Sequence, residues 1–158
     1  MKDYKNTGAP ESTITFDKIK IEDGLSHISV LDIMQDSKGF IWVGTQYGLN
    51  RYDGYSFEVF NFDVDNQESI SSDFILSIFE DSKGIMWLGT ANSGICRYDG
   101  NTLRYYAQKE GLLSKFIFDI AEDNQGAFWI GTSWGIVKYD GKYFYRYMVG
   151  NADCYGIK

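Results

Sequence analysis

The pattern of a ten-residue string, Asp36-Ser37-Lys38-Gly39-Phe40-Ile41-Trp42-Val43-Gly44-Thr45, returns twice further along the chain with its Asp, Gly, Trp and Gly-Thr in place, and every copy is followed by a segment ending in Tyr-Asp-Gly. The later copies begin at Asp81 and Asp123. Their tryptophans, Trp87 and Trp129, follow Trp42 at spacings of 45 (87 − 42) and then 42 (129 − 87) positions. A repeat of that length is one supersecondary unit, and such units bury their apolar faces by stacking on one another.

The chemistry within the repeat is that of turns and short strands. Asp-x-x-Gly puts a short acceptor at the start of a turn and a residue free to take positive φ at its end, so 36–39, 81–84 and 123–126 read as hairpin turns. Tyr-Asp-Gly, at 52–54, 98–100 and 139–141, supplies a second turn, for which Asp-Gly predicts a type I′ geometry with both central residues at positive φ. Apolar and aromatic runs flank these turns: Val30 to Met34, Ile75 to Phe79 and Ile117 to Ala121 before the first, and Phe57 to Phe60, Leu103 to Tyr106 and Phe144 to Tyr147 after the second. Each unit is therefore expected to hold four antiparallel strands, a to d. The b strands, such as Phe40-Ile41-Trp42-Val43, are apolar on both faces, as in a sheet covered on each side.

Four-stranded units of this length are the blades of β-propellers. The expected fold is all-β, with three four-stranded blades at 28–60, 73–106 and 116–148 inside a propeller domain spanning 14–148. An extra N-terminal strand at 14–20 stands in the order of a d strand, between the polar tail 1–13 and the start of the first unit, and a second tail covers 149–158.

The order Gly24-Leu25-Ser26, then Asp-x-x-Gly-x-x-Trp, Gly-Thr and Arg51-Tyr52-Asp53-Gly54 resembles the two-component regulator propeller repeat, found in periplasmic sensor regions of bacterial hybrid histidine kinases. The resemblance covers about residues 14–148. It implies a periplasmic location, a sensing role directed at nutrient glycans, and use of the 14–20 strand to complete the last blade of a ring. Immunoglobulin-like, membrane-spanning and kinase segments usual in such proteins do not occur in this sequence.

Composition narrows the function further. Aromatic residues make up 17% of the 158, which suits pleated, half-buried surfaces. The net charge of −7 repels a phosphate backbone, so nucleic acid is not an expected partner. Residues 1–13 lack the apolar core of a signal peptide, and no window reaches membrane-spanning length, so membrane insertion by this chain is not expected. Cys96 lies in a c strand as a small buried hydrophobe and Cys154 lies in the tail, with no Cys-x-x-Cys motif. No cofactor is expected. The lysines two residues after Asp36 and Asp81 favour turn-capping over a cation site for those carboxylates.

Within one chain the three copies differ in their b-to-c and d-to-a connections and agree in their Asp-x-x-Gly and Asp-Gly turns, which places recognition on the face of the variable connections. His27, the only histidine, is matched by Ser72 and Ser114 in the other copies and has no orienting partner for general base catalysis. An enzyme is therefore not expected. Tyr47 and Trp134 occupy tight b-to-c loops that do not demand an aromatic, beside Gln46, Asn92, Ser93 and Ser133, and either ring can pack across the groove between blades or stand out as a stacking platform. With His27 these seven are the candidate ligand-binding residues, rings edged by amides and hydroxyls that suit an oligosaccharide or another polar molecule with an apolar face. The alternative is a structural module whose role is association. Three blades leave two apolar faces uncovered, so a homodimer closing a six-bladed ring is expected, because closed propellers have about four to eight blades.

Overall fold

In the computed structural model, which describes residues 18–147, the repeated aspartate is the organising group of each unit. Asp36 Oδ1 accepts the backbone N–H groups of Lys38 and Phe40 at 3.0 and 2.9 Å, while Oδ2 accepts the Trp42 indole N–H at 2.8 Å. Asp81 and Asp123 repeat all three bonds at 2.9 to 3.0 Å, to Trp87 and Trp129 respectively. One carboxylate thus closes a turn and fixes the tryptophan six residues on. That coupling is the physical content of Asp-x-x-Gly-x-x-Trp.

Three four-stranded antiparallel sheets follow, each in simple sequence order. Blade 1 holds β1 (Val30–Gln35), β2 (Ile41–Thr45), β3 (Gly48–Tyr52) and β4 (Phe57–Phe60). Blade 2 holds β5 (Ile75–Glu80), β6 (Met86–Thr90), β7 (Ile95–Tyr98) and β8 (Leu103–Tyr106). Blade 3 holds β9 (Ile117–Glu122), β10 (Phe128–Thr132), β11 (Gly135–Tyr139) and β12 (Phe144–Tyr147). The expected all-β, propeller-type architecture is what the chain adopts. Its helical content among the described residues is two single 3₁₀ turns, Ile21–Asp23 and Gln108–Glu110. Strands β1, β5 and β9 lie beside one another, so the a strands are innermost.

Two expectations need correction or restriction. The Tyr-Asp-Gly turns are not type I′. Among the described residues only glycines have positive φ, and the two-residue loops are Gly54-Tyr55, Gly100-Asn101 and Gly141-Lys142, with glycine first, the φ pattern of type II′. The aspartate sits one place earlier and accepts backbone N–H groups across the loop, as Asp53 does from Tyr55 and Ser56. Of the expected N-terminal strand, Lys18 to Lys20 lie outside every strand, and the remainder, like the two tails and Cys154, falls outside the described residues.

Each a strand carries a register shift, between Val30 and Asp32, between Ile75 and Ser77, and opposite the Gly131/Thr132 step. A bulge there brings residues three apart onto one side. Ile75 and Ile78, like Ile117 and Ile120, therefore all sit buried against the preceding blade. The core is split accordingly. One cluster, with Trp42, Leu49, Ile75, Ile78 and Leu88, joins blades 1 and 2; the other, with Trp87, Ile95, Ile117, Phe128 and Ile130, joins blades 2 and 3. Each such side chain contributes about 1.5–3 kcal/mol by leaving water. Glycine lets the blades close. A Cβ on Gly89 would lie 2.2 Å from Ser77 Oγ and 2.9 Å from Ile117 Cγ2, and one on Gly44 would lie 2.9 Å from Ile75 Cγ2.

Candidate functional site

The b-to-c loops are built by the threonine that ends each b strand. Thr45, Thr90 and Thr132 each donate a hydroxyl to the carbonyl of Gly48, Gly94 or Gly135, at 2.8 to 3.0 Å. The same oxygen accepts the N–H of Tyr47, Ser93 or Trp134, at 2.9 to 3.2 Å. Backbone that is pinned in this way leaves the side chain at its tip free to point outward. Tyr47 and Trp134 are 64% and 67% exposed.

The structure brings some of the expected residues together and holds others apart. His27 stacks on Tyr47 with ring centroids 5.7 Å apart and planes at 28°. Its Nδ1 accepts the Ser29 N–H at 3.0 Å. Ser72 and Ser114 accept the N–H two residues on in the same manner, so His27 does a loop-capping task that serine does in the other copies. Ser133 Oγ is 2.8 Å from Ser114 Oγ, and Ser93 Oγ donates to Asn92 Oδ1 at 3.2 Å. Gln46 is exposed, with its N–H bonded to the Ser29 carbonyl. Tyr47 and Trp134 occupy matching places on blades 1 and 3, with blade 2 between them, and no ring stacking joins them among the described residues.

A cavity of about 420 Å³ opens between blades 1 and 2 under the connection from β4 to β5, and none of the seven expected residues lines it. Its wall includes Trp42, Phe60, Met86, Tyr98 and Leu103, and its rim carries Asn61, Asp63, Asn66 and Glu68. At the junction of blades 2 and 3 the matching places are held by Phe128 and Phe144, which pack on Trp87 at 4.4 Å and on Tyr106 at 5.9 Å. Met86 and Leu103 stand in their stead and leave the space open. Two signals in the sequence pointed there: the 61–73 connection is the longest of its kind, and Leu103 stands where the other two d strands begin with phenylalanine. A neighbouring hollow of about 490 Å³ includes Ser93. Asn61 Nδ2 donates to the Tyr47 carbonyl at 3.2 Å, so the cavity rim and the Tyr47 loop touch.

The shifted carboxylates lie on the opposite face, in the invariant turns. Asp99 is lowered to about 2, first by the Thr102 backbone N–H, and Asp123 to about 2, first by the Trp129 indole N–H. Among the described residues no three His, Cys, Asp or Glu side chains converge as metal ligands, and no helix is long and apolar enough to cross a membrane.

Known proteins share this pattern. Histidine kinase P4 of Formosa agariphila is 43% identical over 63 residues, 40% of this chain and 5% of the kinase. The extracellular domain of the hybrid two component system BT3049 from B. thetaiotaomicron superposes with a TM-score of 0.76 at 25% identity, over 84% of this chain and 20% of that one. The extracellular domain of the one component system BT4673 from the same organism gives 0.67 at 27% identity, over 78% and 19%. The chain thus spans a small part of each relative. The family model described as two component regulator propeller matches at 24–47, 69–92 and 111–134, one match for each blade's leading loop, a and b strands, so the chain carries three repeats of the two-component regulator propeller family and resembles the sensor domains of two-component systems.

Proposed function

We propose that the chain is a non-enzymatic recognition module of an extracytoplasmic sensor, which holds a polar ligand with an apolar face, such as an oligosaccharide, against the rings of its variable loop face. The observation that carries this reading is that Tyr47 and Trp134 stand in solvent on loops fixed by Thr45 and Thr132. A ring that stands largely in solvent on ordered backbone is a stacking platform at low entropic cost. Gln46 and Asn92 supply amides at the same level of the fold, and His27 extends the Tyr47 ring. The extracellular location of the BT3049 and BT4673 domains supports the placement outside the cytoplasm.

A glycan array followed by calorimetry on the best binder tests the reading. Tyr47→Ala and Trp134→Ala are each expected to weaken binding by about 1–3 kcal/mol, by analogy with bases stacked on aromatics, with unchanged melting temperature. Leu103→Phe, which fills the cavity between blades 1 and 2, is expected to leave binding intact. Loss of stability with unchanged binding in the two alanine variants, or loss of binding in Leu103→Phe alone, refutes the platform.

A further inference from the structure

The faces that blades 1 and 3 turn outward are the two halves of a junction the chain already makes twice. On blade 1, Val30 and Ile33 are 40% and 61% exposed, whereas their counterparts Ile75, Ile78, Ile117 and Ile120 are at most 6% exposed. On blade 3, Trp129 and Ile136 are 36% and 49% exposed, against at most 5% for Trp42, Trp87, Leu49 and Ile95. The first set faces a preceding blade and the second a following one, so the two patches are complementary rather than alike.

Gly131 is an independent sign. Its counterparts Gly44 and Gly89 are glycine because the next blade's strand a comes within 2.9 Å of where a Cβ would be. At Gly131 the nearest heavy atoms are 3.9 Å away and belong to Asp119 of the same blade. Among the described residues this glycine has no close neighbour to admit. The polar groups repeat the theme. Ser37 donates through N and Oγ to the Glu80 carboxylate across the first junction, at 2.6 and 2.7 Å, and Ser82 does the same to Glu122 across the second, at 2.7 and 2.9 Å. In the same register the groups left over are Asn124 on blade 3 and Gln35 on blade 1, a donor and an acceptor without charge. Asp32 Oδ2 accepts the Ile78 N–H across the first junction at 2.7 Å, and the matching oxygen of Asp119 makes no hydrogen bond among the described residues.

We propose that blade 3 of one chain docks head to tail on blade 1 of a second copy, in the register of the internal junctions. Gly131 lies against Val30 of the second copy, Trp129 and Ile136 cover Ile33, and Asn124 meets Gln35. A second copy is the occupant because every group on one face is matched by the group that its counterparts already meet within the chain. Two such contacts close two copies into a ring of six blades, within the range of about four to eight for closed propellers. The contact is heterologous, and it terminates by closing instead of growing into a filament.

Light scattering on the 158-residue chain at micromolar concentration is expected to give twice 18.1 kDa, and a monodisperse monomer overturns the proposal. Gly131→Val, which its own blade can accommodate, and Ile33→Glu, at a site already in water, are expected to stay folded by circular dichroism and to weaken association by about tenfold or more. Ile136→Glu does the same from the other face. Mixing Ile33→Glu with Ile136→Glu leaves one junction intact, so a dimer of one chain of each kind is expected by native mass spectrometry. Association that survives all three substitutions, or that mixing does not restore, overturns the head-to-tail arrangement.

Discussion

Replacing Asp81 by Ala is expected to destabilise the chain by about 3 kcal/mol. The carboxylate accepts three hydrogen bonds at 2.9 Å, from the N–H groups of Lys83 and Ile85 and from the Trp87 indole. Lys83 is exposed, so water replaces part of what the turn loses, at about 1 kcal/mol for the two backbone bonds. Trp87 is 3% exposed, and its orphaned N–H carries a desolvation cost of about 2 kcal/mol. Asp123 makes the same three bonds to a tryptophan that is 36% exposed, so Asp123→Ala is expected to cost clearly less. Urea unfolding followed by far-UV circular dichroism measures both. In a Trp87→Phe background, which removes the indole donor, Asp81→Ala is expected to cost only about 1 kcal/mol. Equal losses at Asp81 and Asp123, or an undiminished loss in the Phe background, would refute the assignment of the cost to the buried indole.

Acid is expected to destabilise the fold between about pH 4 and pH 2. The Asp99 and Asp123 carboxyls titrate near 2 in the fold against an ordinary 3.8, so the unfolded chain takes up protons first. Their contribution is complete above the ordinary value and is lost as the pH falls toward 2; Asp123→Asn is expected to flatten the profile of urea midpoint against pH in that window. Cys96 is fully buried and its thiol is pushed up to about 12 by that burial, so in a Cys154→Ser variant a thiol reagent is expected to react only after denaturant is added. Prompt reaction in native buffer would contradict the packing of β7.

The fold was legible because its signals are local and occur three times. Asp36, Gly39 and Trp42 specify a turn and its strand through one carboxylate, and that chemistry does not depend on the rest of the molecule. The Tyr-Asp-Gly turn was misassigned because Asp53 can serve either inside a loop or as a side-chain acceptor flanking one, and composition does not distinguish the two. The exposure of Tyr47 and Trp134 was not legible, since a ring on a two-residue loop can pack across the groove between blades or stand in solvent, and the sequence does not distinguish the two. The cavity was not read, because it arises from Met86 and Leu103 meeting across two sheets, and a difference in size between residues distant in sequence shows only once the register of the blades is known. Gly131 is the same kind of case. Its spacing marks it as one of three equivalent glycines, and only the fold reveals that two have a close neighbour in the next blade and that one has none among the described residues.

Placing the core between sheets instead of within them makes the blades unequal in their resistance to opening. Blade 1 or blade 3 can fray by giving up one apolar cluster, whereas blade 2 contributes to both, through Ile75, Ile78 and Leu88 on one side and Trp87 and Ile95 on the other. In such nearest-neighbour arrays the stability of a unit is set largely by how many neighbours it has. The middle blade is therefore the keystone, the last part of the molecule to admit solvent, and an end blade gains the same protection only by acquiring a second neighbour.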